Sequence, residues 1–313
     1  MNILISGGDG FIGKNLVRLL HRKKHNIIVV DNHITSYLTN DNLDLVTHIE
    51  KPIEDVVIDD IEHIDVIFHM ASVASPLVYK NDFRNVYNPN VKGTEKMIEL
   101  AKRDSARMIF TSTSEVYGML DDEITQGNGI LEDSISISHL LTERSIYPTS
   151  KKMGEELVKN FINQGGDAAI LRLFNVYGPE MDVRNNGYGR VIPNFINAIR
   201  EDKELKIFGD GKQVRSFIWI DDIIEALELL IEVPKMPDVI NIGNSEPITV
   251  YKLAEMICEI EQKKVNAKYI EKDLDDPLWR KPNIDRIKSL VDWEPKTSLK
   301  DGLTLILKGQ KNE

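Results

Sequence analysis

Residues 6–13 read Ser-Gly-Gly-Asp-Gly-Phe-Ile-Gly and stand between an aliphatic run over residues 2–6 and an amphipathic stretch. This position predicts a turn that joins a strand to a helix. Gly7 permits the tight turn, Gly10 lets the backbone approach a pyrophosphate, and Gly13 lets the helix pack closely. The amino end of the helix adds free amides and the positive end of a dipole. The stretch predicts a dinucleotide site, although an ordinary glycine-rich turn would carry the same residues.

An acidic residue at the end of the next strand separates these two explanations. The second aliphatic run, over residues 27–30, ends at Asp31, about 20 residues past the glycines, where a dinucleotide fold needs an acceptor for the ribose 2′-hydroxyl. The same carboxylate would repel a 2′-phosphate. We therefore predict NAD, rather than NADP, as the coenzyme.

The first half of the chain alternates between short aliphatic runs and helical patterns. The runs are residues 2–6, 27–30, 66–69, 108–111 and 168–173. This alternation predicts an α/β fold with a Rossmann-type doubly wound parallel sheet, in which ligands bind beyond the carboxyl ends of the strands. We divide the chain into a dinucleotide-binding domain over residues 1–175 and a smaller C-terminal lobe over residues 176–313, with some chain crossing back. Helices are predicted near 191–200 and 221–232.

Composition excludes several classes of protein. The 313 residues are 42% hydrophobic and carry 39 Lys and Arg against 50 Asp and Glu, a net charge of −11 that would repel nucleic acid. No apolar run approaches the roughly 18 residues that span a bilayer, and a strand from residue 2 leaves no room for a secretory leader. The seven histidines lack partners at ligand spacing, so we predict no metal site. The single cysteine, Cys258, lies in an apolar helical pattern and is assigned to the core, and we expect a cytoplasmic protein.

A tyrosine and a lysine share one face of a predicted helix. Tyr147-Pro-Thr-Ser-Lys151 opens an amphipathic stretch that stops at Gly165, and Pro148 is tolerated in a first helical turn. An ammonium beside the phenol, together with a positive nicotinamide, would lower the pKa of a tyrosine from about 10 toward neutrality. Tyr147 could then remove a hydroxyl proton. A packed tyrosine and an exposed lysine are the alternative at this spacing.

Hydroxyl groups and one carboxylate follow the strand at 108–111, in the stretch Thr111-Ser-Thr-Ser-Glu-Val-Tyr-Gly118. With the glycines, Asp31 and the Tyr/Lys pair in this order, the chain resembles the extended short-chain dehydrogenases/reductases that act on nucleotide sugars as epimerases, dehydratases and decarboxylases. Further matching stretches are His69-Met-Ala-Ser, Asn90-Val-Lys-Gly-Thr94, Leu171-Arg-Leu-Phe-Asn-Val-Tyr-Gly-Pro179 and Asp292-Trp-Glu-Pro295.

The resemblance implies an NAD-binding Rossmann domain, a C-terminal lobe that binds a nucleoside diphosphate sugar, and a homodimer formed through a helix bundle. It assigns Tyr147 as the base, Lys151 as its electrostatic partner and a ribose ligand, and Thr113 as the hydroxyl that hydrogen-bonds the sugar oxygen at carbon 4. Arg215 resembles the arginine that clamps the diphosphate, with Asn175 and Arg190 nearby. The implied coenzyme-binding residues are Gly7, Gly10, Phe11, Ile12, Gly13, Asp31, Asn32, Ala71, Tyr147 and Lys151.

Two positions favour one chemistry within this family. Glu115 follows Thr113-Ser114, where the dehydratases it resembles have Thr-Asp-Glu, so the acid that protonates a departing hydroxyl is missing. The stretch around Glu115 instead resembles UDP-glucuronate decarboxylases. Arg280, in Trp-Arg-Lys-Pro-Asn-Ile284, matches an arginine that in those enzymes flanks the sugar carboxylate. A surface arginine or a phosphate ligand is the alternative for Arg280.

Other functions stay open at this point. The segment from Met119 to Ile146 lacks the proline-rich content usual in the decarboxylases, and its stretch from residue 120 could be a mobile loop over the site. The enzyme could then be a carbon-4 dehydrogenase or epimerase of another sugar nucleotide, such as a GDP- or UDP-linked heptose. A non-catalytic NAD-binding sensor is least favoured, because Thr113, Tyr147 and Lys151 are all present.

Overall fold

The computed structural model describes residues 1–36, 43–75, 82–120, 127–134, 145–181, 190–272 and 276–309. The strands in these ranges are β1 Asn2–Ser6, β2 Asn26–Asp31, β3 Val46–Glu50, β4 Val66–His69, β5 Arg107–Thr113, β6 Ala168–Leu173, β7 Val176–Tyr177, β8 Leu205–Phe208, β9 Val214–Arg215, β10 Ile218–Trp219, β11 Val239–Ile242, β12 Ile248–Thr249, β13 Ala267–Ile270 and β14 Trp279–Arg280.

The α-helices in the same ranges are α1 Phe11–Arg22, α2 Arg84–Tyr87, α3 Gly93–Asp104, α4 Ile146–Asn163, α5 Val191–Arg200, α6 Ile220–Ile231, α7 Val250–Ile260, α8 Asp285–Leu290 and α9 Leu299–Gly309. A wide helical turn over Asn88–Lys92 joins α2 to α3, and a short tight turn over Ser114–Tyr117 follows β5. No helix in the described part of the chain has both the length and the apolar character needed to cross a membrane.

The centre of the molecule is a seven-stranded parallel sheet in the order β11-β6-β5-β4-β1-β2-β3. The predicted Rossmann-type doubly wound sheet is therefore confirmed, and each of the five predicted strands is present. The sequence analysis missed β3 and β11. Apolar and polar residues are mixed in β3, which forms an edge of the sheet. The strand therefore lacks the continuous apolar run of a strand buried on both faces.

Alternate residues of β1 point to opposite faces of the sheet, and each face has its own apolar core. Ile3 and Ile5 pack with side chains of α1 and α6 in the larger core, whereas Leu4 packs with those of α3 and α4 on the other side. Burying each such side chain contributes about 1.5 to 3 kcal/mol. The two helical layers therefore hold the carboxyl edge of the sheet in a fixed place.

Short sheets complete the C-terminal part of the molecule. Their strand orders are β10-β7, β12-β9-β14 and β13-β8. The helices predicted near 191–200 and 221–232 correspond to α5 and α6. Because β11 joins the central sheet from within the C-terminal half, the chain crosses back, and the boundary between 175 and 176 stays a prediction.

The predicted loop from residue 120 to residue 146 lies in large part outside the described residues. Within its described part, Ile130 forms a β-bridge with Pro282, close to Arg280 in the sequence. The stretch Asn185-Asn186-Gly187, whose composition is typical of a turn, also lies outside the described residues. Cys258 is buried in the larger core, as predicted.

Candidate active site

A cavity of about 860 Å³ runs along the carboxyl edge of the central sheet and into the C-terminal part. Parallel strands end together at this edge, which is where such folds bind ligands. Every residue that the sequence analysis assigned to the site lines this cavity: Gly7, Gly10, Phe11, Ile12, Gly13, Asp31, Asn32, Ala71, Thr113, Glu115, Tyr147, Lys151, Asn175, Arg190, Arg215 and Arg280.

The glycine turn between β1 and α1 leaves no space for side chains. Gly7 has φ +73°, and a Cβ atom there would lie 2.8 Å from the backbone of Ala71. At Gly13, a Cβ atom would lie 2.2 Å from the carbonyl oxygen of Gly7. Gly10, the cap of α1, has no side chain that could bond the first amides of the helix, and Phe11, Ile12 and Gly13 line the cavity. This cradle fits the pyrophosphate of a dinucleotide.

The carboxylate of Asp31 is held by three donors from the surrounding loops. Oδ2 accepts from the amide of Asp9 at 3.1 Å, and Oδ1 accepts from the amide of His33 at 2.9 Å and from Ser36 Oγ at 2.8 Å. A carboxylate offers about four acceptor positions. One position therefore remains for a ribose hydroxyl, which agrees with the coenzyme role predicted for Asp31. Asn32, the next residue, lines the same end of the cavity.

Tyr147 and Lys151 lie one turn apart on α4 and are both buried. Lys151 Nζ donates to the carbonyl oxygen of Thr111 at 2.6 Å and lies 4.9 Å from the centre of the Phe110 ring. Burial lowers the pKa of Lys151 to about 7, although the negative charge of Glu155 acts in the opposite direction. The alternative of an exposed lysine is therefore wrong. A lysine with this pKa can gain or lose a proton near neutral pH, one helical turn from Tyr147.

Thr113 and Glu115 stand on either side of the end of β5. Thr113 is the last residue of the strand, and its Oγ1 accepts from the amide of Glu115 at 3.2 Å. This bond shapes the tight turn that presents the Glu115 side chain to the cavity. Because the oxygen is the acceptor in this bond, the hydroxyl proton of Thr113 can still be donated to a ligand.

Arg215 and Arg280 are 65 residues apart in sequence but are register partners in the parallel pair β9 and β14. Arg215 Nη2 forms an ion pair with Asp276 at 2.5 Å, and its Nη1 donates to the carbonyl oxygen of Val214. Asn175 Nδ2 donates to the carbonyl oxygen of Ser216 at 2.9 Å, which ties β9 to the end of β6. Two arginines on adjacent strands that line one cavity suit a ligand with several negative charges.

The buried side chain of His69 connects Ser6, at the end of β1, with Thr94 on α3. Thr94 Oγ1 donates its proton to the carbonyl oxygen of Asn90 at 2.7 Å, so it must accept from His69 Nε2 at 3.0 Å. His69 Nδ1 consequently accepts from Ser6 Oγ at 2.7 Å. Burial, with the positive charge of Lys151, lowers the pKa of His69 to about 3, so the ring is neutral. Ser6 Oγ in turn accepts the amide of Ala71, which lines the cavity.

The sequence analysis missed a buried ion pair beneath the site. Glu155 lies one turn after Lys151 and accepts from Arg172 Nε at 2.9 Å and Nη2 at 2.7 Å. Ser112 Oγ donates to the same carboxylate at 2.6 Å, and the Arg172 guanidinium stacks 4.6 Å above the Tyr117 ring. The signal in the sequence is Arg172 itself, an arginine inside an aliphatic strand, because a charge there needs a partner.

Comparisons with known proteins agree with this geometry. The model of the NAD dependent epimerase/dehydratase family matches residues 3–243. A relative named UDP-glucuronic acid decarboxylase 6, from Arabidopsis thaliana, is 37% identical over 98% of this chain and 88% of its own length.

Solved structures of similar fold include sugar-nucleotide epimerases. UDP-N-acetylglucosamine 4-epimerase from Methanobrevibacter ruminantium has a TM-score of 0.87 at 27% identity and covers 99% of this chain and 98% of its own. UDP-glucuronic acid 4-epimerase from Bacillus cereus, solved with UDP-glucuronic acid and NAD, has a TM-score of 0.83 at 27% identity over 99% of this chain and 100% of its own. The family match and the glycine cradle together show that the chain is an NAD-using enzyme and belongs to the NAD dependent epimerase/dehydratase family.

Proposed function

We propose that this enzyme decarboxylates UDP-glucuronate, or a closely related UDP-uronate, by oxidising carbon 4 of the sugar and restoring it in the same cycle. The observation that carries the proposal is the pairing of β9 with β14, which sets Arg280 beside Arg215 in the cavity that holds Thr113, Glu115 and Tyr147. The decarboxylase named above, at 37% identity, supports the same substrate.

Bound NAD would accept a hydride from carbon 4 and return it at the end of the cycle. The first step for the protein is removal of the proton from the 4-hydroxyl group, which falls to the phenolate of Tyr147. Lys151 supports the phenolate by its nearby charge, and its fixed bond to the carbonyl oxygen of Thr111 keeps the ammonium in place. Thr113 donates a hydrogen bond to the same sugar oxygen.

Once carbon 4 is a ketone, the sugar carboxylate is β to a carbonyl group and leaves as CO₂, and an enolate remains. Arg280 holds the carboxylate before it leaves, and the buried setting of the cavity strengthens this contact. Glu115 delivers the proton that carbon 5 then needs. The two residues reach one cavity from β14 and from the turn after β5.

Arg215, with Arg190 and Asn175, would hold the diphosphate. A guanidinium has five N–H donors, and the contacts to Asp276 and to Val214 engage only part of this set. The remaining donors can bind phosphate oxygens while Asp276 keeps the group in position.

The nucleoside diphosphate sugar is the ligand class, and a homodimer is the assembly that we propose. Met153, near the middle of α4, is 43% exposed, and Phe83, just before α2, is 55% exposed. An apolar surface of this kind on neighbouring helices fits a bundle with a second copy. Light scattering of the purified protein would test it, and a monomeric mass would exclude the bundle. We also propose a cytoplasmic location, which suits a chain whose single cysteine forms no internal disulfide.

The deciding experiment is mass spectrometry of UDP-glucuronate after incubation with the enzyme and NAD, with Tyr147→Phe as the control. We expect a UDP-pentose formed by loss of CO₂ with the unaltered enzyme and unchanged substrate with the variant. Unchanged substrate in both would exclude UDP-glucuronate.

Epimerisation or oxidation at carbon 4 of another sugar nucleotide is the second candidate. It is favoured by the 4-epimerases among the solved structures of similar fold, and by the place of Arg280 beside Arg215, where it could serve the diphosphate. Chromatography of candidate UDP- and GDP-sugars after incubation would reveal a 4-epimer or NADH. Loss of such activity in Tyr147→Phe, but not in Glu115→Gln, would support this candidate.

A further inference from the structure

The glycine turn contains an aspartate, Asp9, that the coenzyme fingerprint does not explain. It stands between Gly8 and Gly10, its side chain is 3% exposed, and it lines the same cavity as Asp31. A second carboxylate this close to a site for an anionic ligand is costly unless it has a purpose, because like charges repel strongly in a partly buried site.

The contacts of Asp9 show how it is held. Its amide donates to Asp31 Oδ2 at 3.1 Å, so the two acidic residues are joined directly. Its carboxylate oxygen Oδ2 meets His33 Nε2 at 2.8 Å and lies 3.4 Å from His48 Nδ1. His33 adopts φ +53°, an unusual conformation for a residue with a side chain, while its ring contacts Asp9.

One carboxylate oxygen of Asp9 is left over. Among the described residues, no hydrogen bond is found for Oδ1, while Oδ2 contacts both imidazole rings. The Asp31 end of the cavity is where a dinucleotide fold places the adenosine ribose. Oδ1 therefore has the character of an acceptor for a hydroxyl group at that end.

We propose that Asp9 is a second coenzyme-specificity residue, which with Asp31 accepts the adenosine ribose of NAD and excludes a 2′-phosphate. A phosphate would bring a charge of about −1.5 to −2 against two carboxylates that the surrounding loops hold in place. Lys51 follows β3, whose residue Glu50 is the register partner of Asp31, and it lines the same cavity. Without the Asp9 charge, one carboxylate fewer would repel a 2′-phosphate and oppose its attraction to Lys51.

The test measures the equilibrium binding of NADH and of NADPH through the fluorescence of the nucleotide, in the absence of any sugar nucleotide. The proposal can therefore fail while the proposed decarboxylase activity stands, and the reverse also holds. In Asp9→Asn we expect the Kd for NADPH to fall at least about tenfold, which is roughly 1.4 kcal/mol, while the Kd for NADH stays nearly constant. Asp9→Ser, which removes the charge with a smaller side chain, should change the ratio in the same direction.

Asp44→Asn is the matched control. Asp44 also pairs with a histidine, His21, at 3.0 Å, but it is exposed and does not line the cavity. The Asp44→Asn variant should leave the Kd values for NADH and NADPH unchanged. The proposal is overturned if the Asp9 variants leave the ratio of the two Kd values as it is in the unaltered protein, or if Asp44→Asn changes the ratio equally.

Discussion

Removal of the charge on Glu155 should destabilise the protein severely. Glu155 and Arg172 are 3% and 6% exposed, and their two hydrogen bonds of 2.9 and 2.7 Å are supported by Ser112. Glu155→Gln leaves the guanidinium buried without a counter-charge. Breaking one side of a buried ion pair costs about 3 to 5 kcal/mol, a large share of the roughly 5 to 15 kcal/mol that holds a typical domain together.

The pH dependence of this loss has a definite sign. Burial alone would raise the pKa of Glu155, but hydrogen bonds and charge from Arg172 outweigh burial and lower it. A carboxyl group whose folded pKa is lowered stabilises the protein above its unfolded pKa, about 4.3, and loses that contribution as the pH falls. The difference in stability between the unaltered protein and Glu155→Gln should therefore shrink in acid.

Urea denaturation, followed by circular dichroism at neutral and acidic pH, measures both effects. The double variant Glu155→Leu with Arg172→Met is the control, because well-packed apolar residues can replace a buried pair at little cost. It should recover most of the stability that the single variant loses. A loss below about 1 kcal/mol in Glu155→Gln would refute the reasoning, and so would a double variant less stable than the single one.

Four further outcomes follow from the site. Gly13→Ala places a methyl group 2.2 Å from the carbonyl oxygen of Gly7, so NADH fluorescence titration should show coenzyme binding abolished; near-normal binding would contradict the cradle. Tyr147→Phe should lower kcat by about 10²- to 10⁴-fold with an unchanged melting temperature, since it removes a proton-transfer group and little volume. Burial lowers the pKa of Lys151 to about 7, below its unfolded value of about 10.4, so the unfolded chain binds more protons and stability rises with pH. Relative to Lys151→Met, urea denaturation should show a gain of about 2 to 3 kcal/mol between about pH 7 and 9; equal pH slopes would disprove it. Arg280→Lys should reduce CO₂ release by about tenfold or more while NADH formation from the substrate persists; equal loss of both would assign Arg280 to binding alone.

Much of the fold was predictable because its signals are local. The strands at 2–6, 66–69 and 168–173 are mainly apolar runs, and the structure has them at the same bounds. The edge strand β3 escaped prediction because none of its residues is fully buried, and β11 because Asn241 interrupts its short apolar run.

The coenzyme end and the Tyr147/Lys151 pair were likewise visible in the sequence. A spacing of four residues places two side chains on one helical face, and a glycine turn after a strand sets a helix terminus at the sheet edge, whatever the rest of the chain does. The roles of these residues, and the division at residue 175, remain predictions.

The sequence by itself therefore determined a parallel sheet, and it predicted the coenzyme-binding end and a candidate proton-transfer pair from local patterns and spacings. Only the tertiary structure decided that Arg215 lies beside Arg280, that Asp276 holds Arg215, and that Glu155 meets Arg172. These partners are brought together by strand register and by the burial of whole helices and sheets. Such packing depends on the free energy of the entire core, and it produces no periodic sequence pattern near the residues that it brings together.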